Sequence, residues 1–356
     1  MKIEYNGEIL DTIHYKEMPE EKFIELKKEY YAKPDFENVK KQMIAIAWGG
    51  TQNNFITDYY VKDLMAKTKI YYNKWTIEDV FNYKPLLEHF YGKVMANKNV
   101  YPDTMSDIDK IETAFRLGGK GIATKPANFP ITTLDSILNK YNVNNNYYDF
   151  SCGWGARLTG ALKHKVNYYG TDPNYLLTER LEQLAKDYKE TMLQKTIVDI
   201  RTQGSEIYIP EWENKMGLAF SSPPYFYLED YKIGDQSYKQ GTSYQDWINN
   251  YLEPTFRNIY KYLIEDGYFI LNINDFEKFT LVADSIRTAE NNGFLLIGDH
   301  TLDNIKRVNE LGEFNDNSER IMVFVKKKDN ATIEDQKKAF KRDMEQLDIF
   351  DMLGGD

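Results

Sequence analysis

From Asn146 to Leu162 an aromatic-rich run, Asn-Tyr-Tyr-Asp-Phe, gives way to Ser-Cys-Gly-Trp-Gly and then to a helical pattern. Gly153 and Gly155 permit a tight turn and close approach of the backbone to a ligand. The helix that follows presents unpaired N–H groups at its start. A second run, Val166-Asn-Tyr-Tyr-Gly-Thr, then ends in the carboxylate of Asp172. An acid at the end of that second strand is placed to reach ribose hydroxyls in a Rossmann-type sheet. Taken alone, Asp172 could equally be a helix N-cap. Together with the glycine loop it specifies a nucleoside cofactor site at the carboxyl ends of the first two strands.

Further along, the apolar run Lys215-Met-Gly-Leu-Ala-Phe220 stops at Ser221-Ser222-Pro223-Pro224-Tyr225-Phe226. Proline has no N–H to donate and a fixed φ, so the strand runs into a rigid loop whose carbonyl oxygens are free to point outward. The aromatic just beyond supplies a flat stacking surface. Rigid acceptors beside a ring suit a planar group that bears an exocyclic NH2. An isolated Pro-Pro is more simply a turn; the cofactor pattern upstream is what favours the holder.

Asp149-Phe-Ser-Cys-Gly-Trp-Gly155 resembles the S-adenosylmethionine-binding motif of the class I methyltransferases, and Ser222-Pro-Pro-Tyr225 resembles the catalytic motif of the DNA amino-methyltransferases that make N4-methylcytosine or N6-methyladenine. The wording is similar to that of phage-encoded DNA methylases. The resemblance covers roughly residues 111 to 328 and implies an α/β fold, a Rossmann-like doubly wound sheet, with S-adenosyl-L-methionine as cofactor and DNA as substrate. It implies Ser222, Pro223, Pro224 and Tyr225 as the catalytic set. Asn128, Phe129, Phe150, Cys152, Gly153, Gly155, Asp172, Pro173, Glu206 and Ser221 fall at cofactor-binding positions, and Phe226, Arg116 and Lys120 are assigned to the substrate. Ser222 stands where many adenine enzymes carry Asp or Asn, which tilts the expectation toward cytosine N4. Methylation of RNA or of a protein glutamine amide uses a similar loop and stays open, as does a cofactor-binding subunit without catalysis.

The chemistry of C5-cytosine methylation is disfavoured on the residues themselves. It needs a cysteine nucleophile beside the base, and the sole cysteine, Cys152, sits in the glycine loop. The same count excludes an intramolecular disulfide and a cysteine-rich zinc site. None of His14, His89, His164 and His300 falls in a metal-spaced pair, so no metal is inferred. With 45 basic and 55 acidic residues the formal net charge is −10. That is the wrong sign for coating nucleic acid, yet it allows a locally basic cleft. No apolar run reaches the length of a membrane span and the first residues do not read as a signal peptide, so a cytoplasmic location is expected.

Three regions are expected: 1–110, a mostly helical accessory region that could contact DNA; 111–328, the methyltransferase domain; and 329–356, a charged helical tail able to serve a protein partner. Asn6-Gly7 between short apolar runs signals a hairpin. The aromatics Trp48, Phe55, Tyr59, Tyr60, Trp75, Phe81 and Phe90 read as core, and the amide-rich loop Thr51–Asn54 is a weak candidate for base contact. Helices are expected over 176–191, 244–264 and 279–291, with strands at 196–201, 267–274, 292–298 and 320–326. Such alternation argues for a doubly wound sheet. The resemblance implies that the polar segment at 227–240 is a loop that orders on DNA; a solvated surface loop is equally open. Arg116, Lys120 and Lys125 are the expected basic face.

Overall fold

A computed structural model describes residues 1–50, 54–232, 236–241, 243–301, 307–308, 314–315, 320–328 and 334. The chain divides into two compact units. One comprises Met1–Val39, Phe55–Ala127 and Tyr227–Gly234; the other comprises Lys40–Asn54, Asn128–Phe226 and Asp235–Asp356. The tail from residue 329, apart from residue 334, lies outside the described residues, as do Thr51–Asn53 of the amide-rich loop.

The larger unit is built on seven strands: β1 (Asn146–Asp149), β2 (Asn167–Thr171), β3 (Val198–Arg201), β4 (Met216–Ser221), β5 (Leu263–Ile273), β6 (Phe294–Thr301) and β7 (Arg320–Lys326). Their order is β3-β2-β1-β4-β5-β7-β6. β1 to β5 are mutually parallel, and β7 is antiparallel to both β5 and β6. The fold is therefore the α/β doubly wound sheet expected. Chain order reverses between β1 and β4, which opens a crevice at their carboxyl ends.

The repeated Asn-Tyr-Tyr runs explain how β1 and β2 pair. Tyr147 lies opposite Tyr168 and Tyr148 opposite Tyr169, and all four side chains are buried. Burying a phenol requires a partner for its hydroxyl. Tyr147 donates to the Phe220 carbonyl at 2.9 Å, Tyr148 shares a hydrogen bond with Thr171 Oγ1 at 3.1 Å, and Tyr168 donates to Asp149 at 2.9 Å. Trp212 packs edge-on against Tyr148, Tyr169 and Tyr262.

The stretch expected as one helix over 244–264 is three pieces: α-helical Tyr244–Trp247, a wide π turn Ile248–Leu252, and α-helical Glu253–Tyr262. Pro254 has no N–H for an i→i−4 bond, and the wide turn before it accommodates that loss. Leu263 and Ile264 already belong to β5. The other expected elements lie within a few residues of their observed limits. Among the described residues no helix is long and apolar enough to cross a membrane.

The smaller unit begins with the expected hairpin, Lys2–Tyr5 paired with Glu8–Asp11, its turn formed by Asn6 and Gly7 at positive φ. Its helices bury Leu26, Tyr30, Phe81, Phe90 and Phe115 in one core with Trp75. Two of the aromatics expected in the core are not there: Trp48 is 85% exposed at the end of its helix, and Phe55 is also exposed. The helix Asp107–Leu117 puts Ile111, Ala114 and Phe115 into this same core. Residues 111–127 therefore pack with the N-terminal unit rather than with the sheet. The segment after the proline loop also joins this unit, Glu229–Asp230 pairing antiparallel with Lys69–Ile70. Part of the 227–240 segment is thus a strand; residues 233–235 lie outside the described set.

In β4, a Cβ on Gly217 would stand 2.8 Å from the Asn144 backbone nitrogen and 2.3 Å from its side-chain oxygen. Gly217→Ala should therefore lower stability by about 1–3 kcal/mol, read as a fall in urea midpoint with an unchanged slope.

Candidate active site

β1 delivers Asp149 to the carboxyl edge of the sheet, and the chain turns through Gly153 and Gly155, both at positive φ, into the helix Ala156–Lys163. The first turn of that helix carries Arg157, whose guanidinium is buried. Its Nε pairs with Asp149 Oδ2 at 2.9 Å, and its terminal nitrogen donates to the Ser151 carbonyl and to Ser221 Oγ, the latter at 3.2 Å. Ser221 Oγ in turn donates to the Ser151 carbonyl at 3.2 Å. Tyr168 completes the shell around Asp149, whose carboxylate is 0% exposed. One ion pair thereby fastens the glycine loop to the end of β4.

Phe129 lies over this assembly. Its ring meets Phe220 edge-on at 5.2 Å between centroids, and the Arg157 guanidinium is 6.0 Å from it. Asn128 beside it donates to the Asn54 side chain at 3.1 Å.

At the end of β2, Asp172 is half-buried and accepts from the Asn174 backbone at 3.0 Å, with Pro173 between them. Burial pushes its carboxyl up to about 7, against the opposing pull of the Asn174 and Gly153 N–H groups. Beyond β3, Ser205 is held by Thr255 at 2.9 Å and by Asn258, which donates to its carbonyl at 3.0 Å. Glu206 is half-buried beside it. The π turn brings Tyr251 into this group, its hydroxyl 3.4 Å from Ser151 Oγ. Burial raises the Tyr251 phenol, and the charges of Glu206 and Asp172 raise it further.

In the proline loop Pro223 is buried, while Ser222, Pro224 and Tyr225 are half-buried. Ser222 Oγ accepts from Asn272 Nδ2 at 3.3 Å, and Asn272 is buried near the end of β5. Phe226 takes a left-handed backbone conformation, φ 53, with its N–H on the Pro224 carbonyl at 3.0 Å. That twist turns its ring away from the motif and into Tyr244, Trp247 and Phe279.

Phe226 packs within an aromatic cluster of Tyr244, Trp247 and Phe279. Phe150, Cys152 and Ser221 point their side chains into the interior: Phe150 against Phe269, Cys152 against Gly170 and Tyr168, Ser221 onto Ser151 and Arg157. They hold the loop's shape rather than present side chains at its surface, and burial pushes the Cys152 thiol well above its usual range. Arg116 and Lys120 belong to the smaller unit, both exposed, whereas Lys125 pairs with Asp58 at 2.6 Å. Arg157, Tyr168, Tyr251 and Asn272 were not singled out in the sequence. Arg157 alone left a signal there, as a cation one turn into a helix that starts beside Asp149.

Residues 216–352 match a family model of the N6/N4 type described as DNA methylase. That stretch includes Ser222-Pro-Pro-Tyr225 and leaves the glycine loop outside the match. The match supports a methyltransferase. No curated protein sequence matches the chain. Among solved structures, the chain is similar to a TehB-like SAM-dependent methyltransferase from Corynebacterium glutamicum ATCC 13032 Kitasato, at 18% identity over 55% of this chain and 87% of that one, with a TM-score of 0.37. It is also similar to geranyl diphosphate C-methyltransferase from Streptomyces coelicolor A3(2), at 9% identity over 64% of this chain and 86% of that one, with a TM-score of 0.42.

Breaking a buried ion pair by removing one member leaves the other charge uncompensated. Arg157→Met should therefore cost about 3–5 kcal/mol of stability, and the double variant Asp149→Asn/Arg157→Met should lose less than that. Urea denaturation of the three proteins makes the comparison.

Proposed function

We propose that the protein transfers a methyl group from S-adenosyl-L-methionine to an exocyclic amino group of a DNA base extruded from the duplex, with cytosine N4 favoured over adenine N6. One observation carries the reading: Ser222-Pro-Pro-Tyr225 ends β4 in a rigid loop whose first neighbour, Ser221, is hydrogen-bonded to the glycine loop at Ser151. Acceptors for an amino group are thus fixed beside the region suited to the cofactor.

The residues fit that cofactor. Asp172 stands where ribose hydroxyls would be accepted, and Glu206 stands beyond β3, where an adenine amino group could donate to it. The backbone of Gly153 and Gly155 allows close approach, and Phe129 with Asn128 covers the far side. When bound, the cofactor supplies an electrophilic methyl on sulfonium. The protein's task is to raise the nucleophilicity of an amino nitrogen whose lone pair is delocalised into the ring. Ser222 Oγ has two lone pairs, of which Asn272 occupies one. The other accepts one amino N–H, and the Pro223 carbonyl accepts the second. Drawing both hydrogens in this way favours a tetrahedral nitrogen, and the acceleration comes from position and electrostatics. Tyr225 stacks on the base. Extrusion is required because an amino group inside the stack cannot reach the loop, and it costs a few kcal/mol. A hydroxyl at Ser222 in place of a carboxylate supports the cytosine preference. DNA as the substrate implies an intracellular site of action, the cytoplasm.

Asp172 gives a pH dependence of known sign. Its carboxyl is protonated below about 7 in the free protein, and ribose hydroxyls donate to the ionised form. Cofactor affinity should rise as pH climbs from below that value to above it, with proton release on binding at the acid end. Calorimetry should find this slope in the wild type and a flatter profile in Asp172→Asn.

The functional reading is tested by nucleoside mass spectrometry of DNA from a methylase-deficient host expressing the protein. N4-methylcytosine is the expected product, and Ser222→Ala should reduce its formation by about 10–1000-fold while cofactor affinity is retained. N6-methyladenine alone would remove only the cytosine preference. Protein-dependent 5-methylcytosine would overturn the mechanism. Labelled methyl confined to RNA or protein would move the substrate class, and cofactor binding with no transfer to any of them would leave a binding subunit.

A further inference from the structure

Asn272 interrupts an aromatic and aliphatic run, Tyr268-Phe-Ile-Leu-Asn-Ile273, in β5. It is 1% exposed. Taking an amide out of water is unfavourable unless hydrogen bonds replace those made to solvent. One of its bonds leaves the strand for the proline loop: Nδ2 donates to Ser222 Oγ at 3.3 Å. That distance is long for N–H···O, as the bonds of catalytic groups often are before a substrate draws them together.

Sheet register explains why these two residues meet. β4 and β5 run parallel, with Phe220 opposite Ile270 and Ser221 opposite Leu271. The next step along both chains brings Ser222 alongside Asn272. On the other side of β5, Asn272 lies opposite Ile321 and Ile273 opposite Arg320 of β7. Asn272 thus stands on a central strand of the sheet, whereas Ser222 is the first residue past the end of β4. Side chains on strands are held more precisely than those on loops, and the bond extends that precision to the loop serine.

A serine side chain has three staggered χ1 wells. The well adopted here keeps Oγ within reach of Nδ2, and rotation to another swings Oγ elsewhere. An amide nitrogen only donates, so it also holds one Oγ lone pair toward β5 and stops the hydroxyl proton from pointing that way.

We propose that Asn272 is a positioning residue for methyl transfer, a role that rests on the amino-methyltransferase reading. It acts through Ser222, holding Oγ where an N–H of the substrate's amino group is accepted. Its effect falls on the geometry of the reacting group, where a misplacement of about 1 Å can cost about 100-fold in rate.

The test follows labelled methyl from the cofactor into DNA of a methylase-deficient host, with the full chain. Asn272→Val, apolar and suited to a strand, and Asn272→Ala, smaller, each remove the donor, so that one of them serves if the other does not fold. Either should lower kcat by about 10–100-fold, with the KM for DNA and the cofactor affinity unchanged. Combined with Ser222→Ala, the same substitution should slow transfer no further than Ser222→Ala alone, because no Oγ is left to place. A merely structural residue would instead multiply the two losses. Wild-type kcat in both variants, a loss confined to KM or cofactor affinity, or multiplied losses in the double variant would overturn the role of Asn272 and leave the function standing. A wild-type protein that puts no methyl on an amino group of DNA would overturn the functional reading and this role with it.

Discussion

A guanidinium taken out of water holds the carboxyl edge of this protein's sheet together. Arg157 reaches from the first turn of its helix to the end of β1 at Asp149, to the glycine loop at Ser151, and to the end of β4 at Ser221. Desolvating such a charge is expensive, and its attraction to Asp149 offsets the cost only because the geometry is good and the remaining donors and acceptors are occupied. Tyr168 on Asp149, and the two carbonyl and hydroxyl acceptors on Arg157, satisfy that condition. A buried pair of this kind is weak evidence for stability and better evidence for fixed geometry. Here it sets the distance between the loop suited to a nucleoside cofactor and the loop suited to an amino group.

Around that pair, side chains are divided between shaping the site and serving it. Phe150, Cys152 and Ser221 face inward and give the loops their form. Asp172, Glu206, Ser222 and Tyr225 are only half-buried and remain able to meet a ligand. The same division acts on the aromatic pair after the prolines. Positive φ at Phe226 sends its ring into Tyr244, Trp247 and Phe279, anchoring the far end of the loop. The π turn before Pro254 has a comparable effect, since it carries Tyr251 to within 3.4 Å of Ser151.

Gly153 and Gly155, the acid at the end of β2 and the prolines after β4 could all be read from the sequence because each imposes its chemistry locally. A glycine turn, a fixed φ or a missing N–H acts within a few residues, so the sequence spells it out. The strand and helix alternation was equally plain, since runs such as Arg320–Lys326 are apolar between charged ends. The sequence thus determined the class of fold and the local form of the loops at the carboxyl edge of the sheet.

The tertiary structure decided what depends on residues far apart in the chain meeting. No local pattern announces that Asn272 will cap Ser222, or that the Tyr251 hydroxyl will reach Ser151. The fate of residues 111–127 was also a packing outcome: the apolar face of Asp107–Leu117 finds Tyr30, Phe81 and Phe90, so the helix joins the N-terminal core. Likewise, Cys152 and Phe150 sit in a motif that suggests ligand contact, but burial is fixed by the neighbouring strands and not by the motif. Sequence carries the local rules of backbone and charge; which side chains stay accessible is set by how the sheet and its helices close over them.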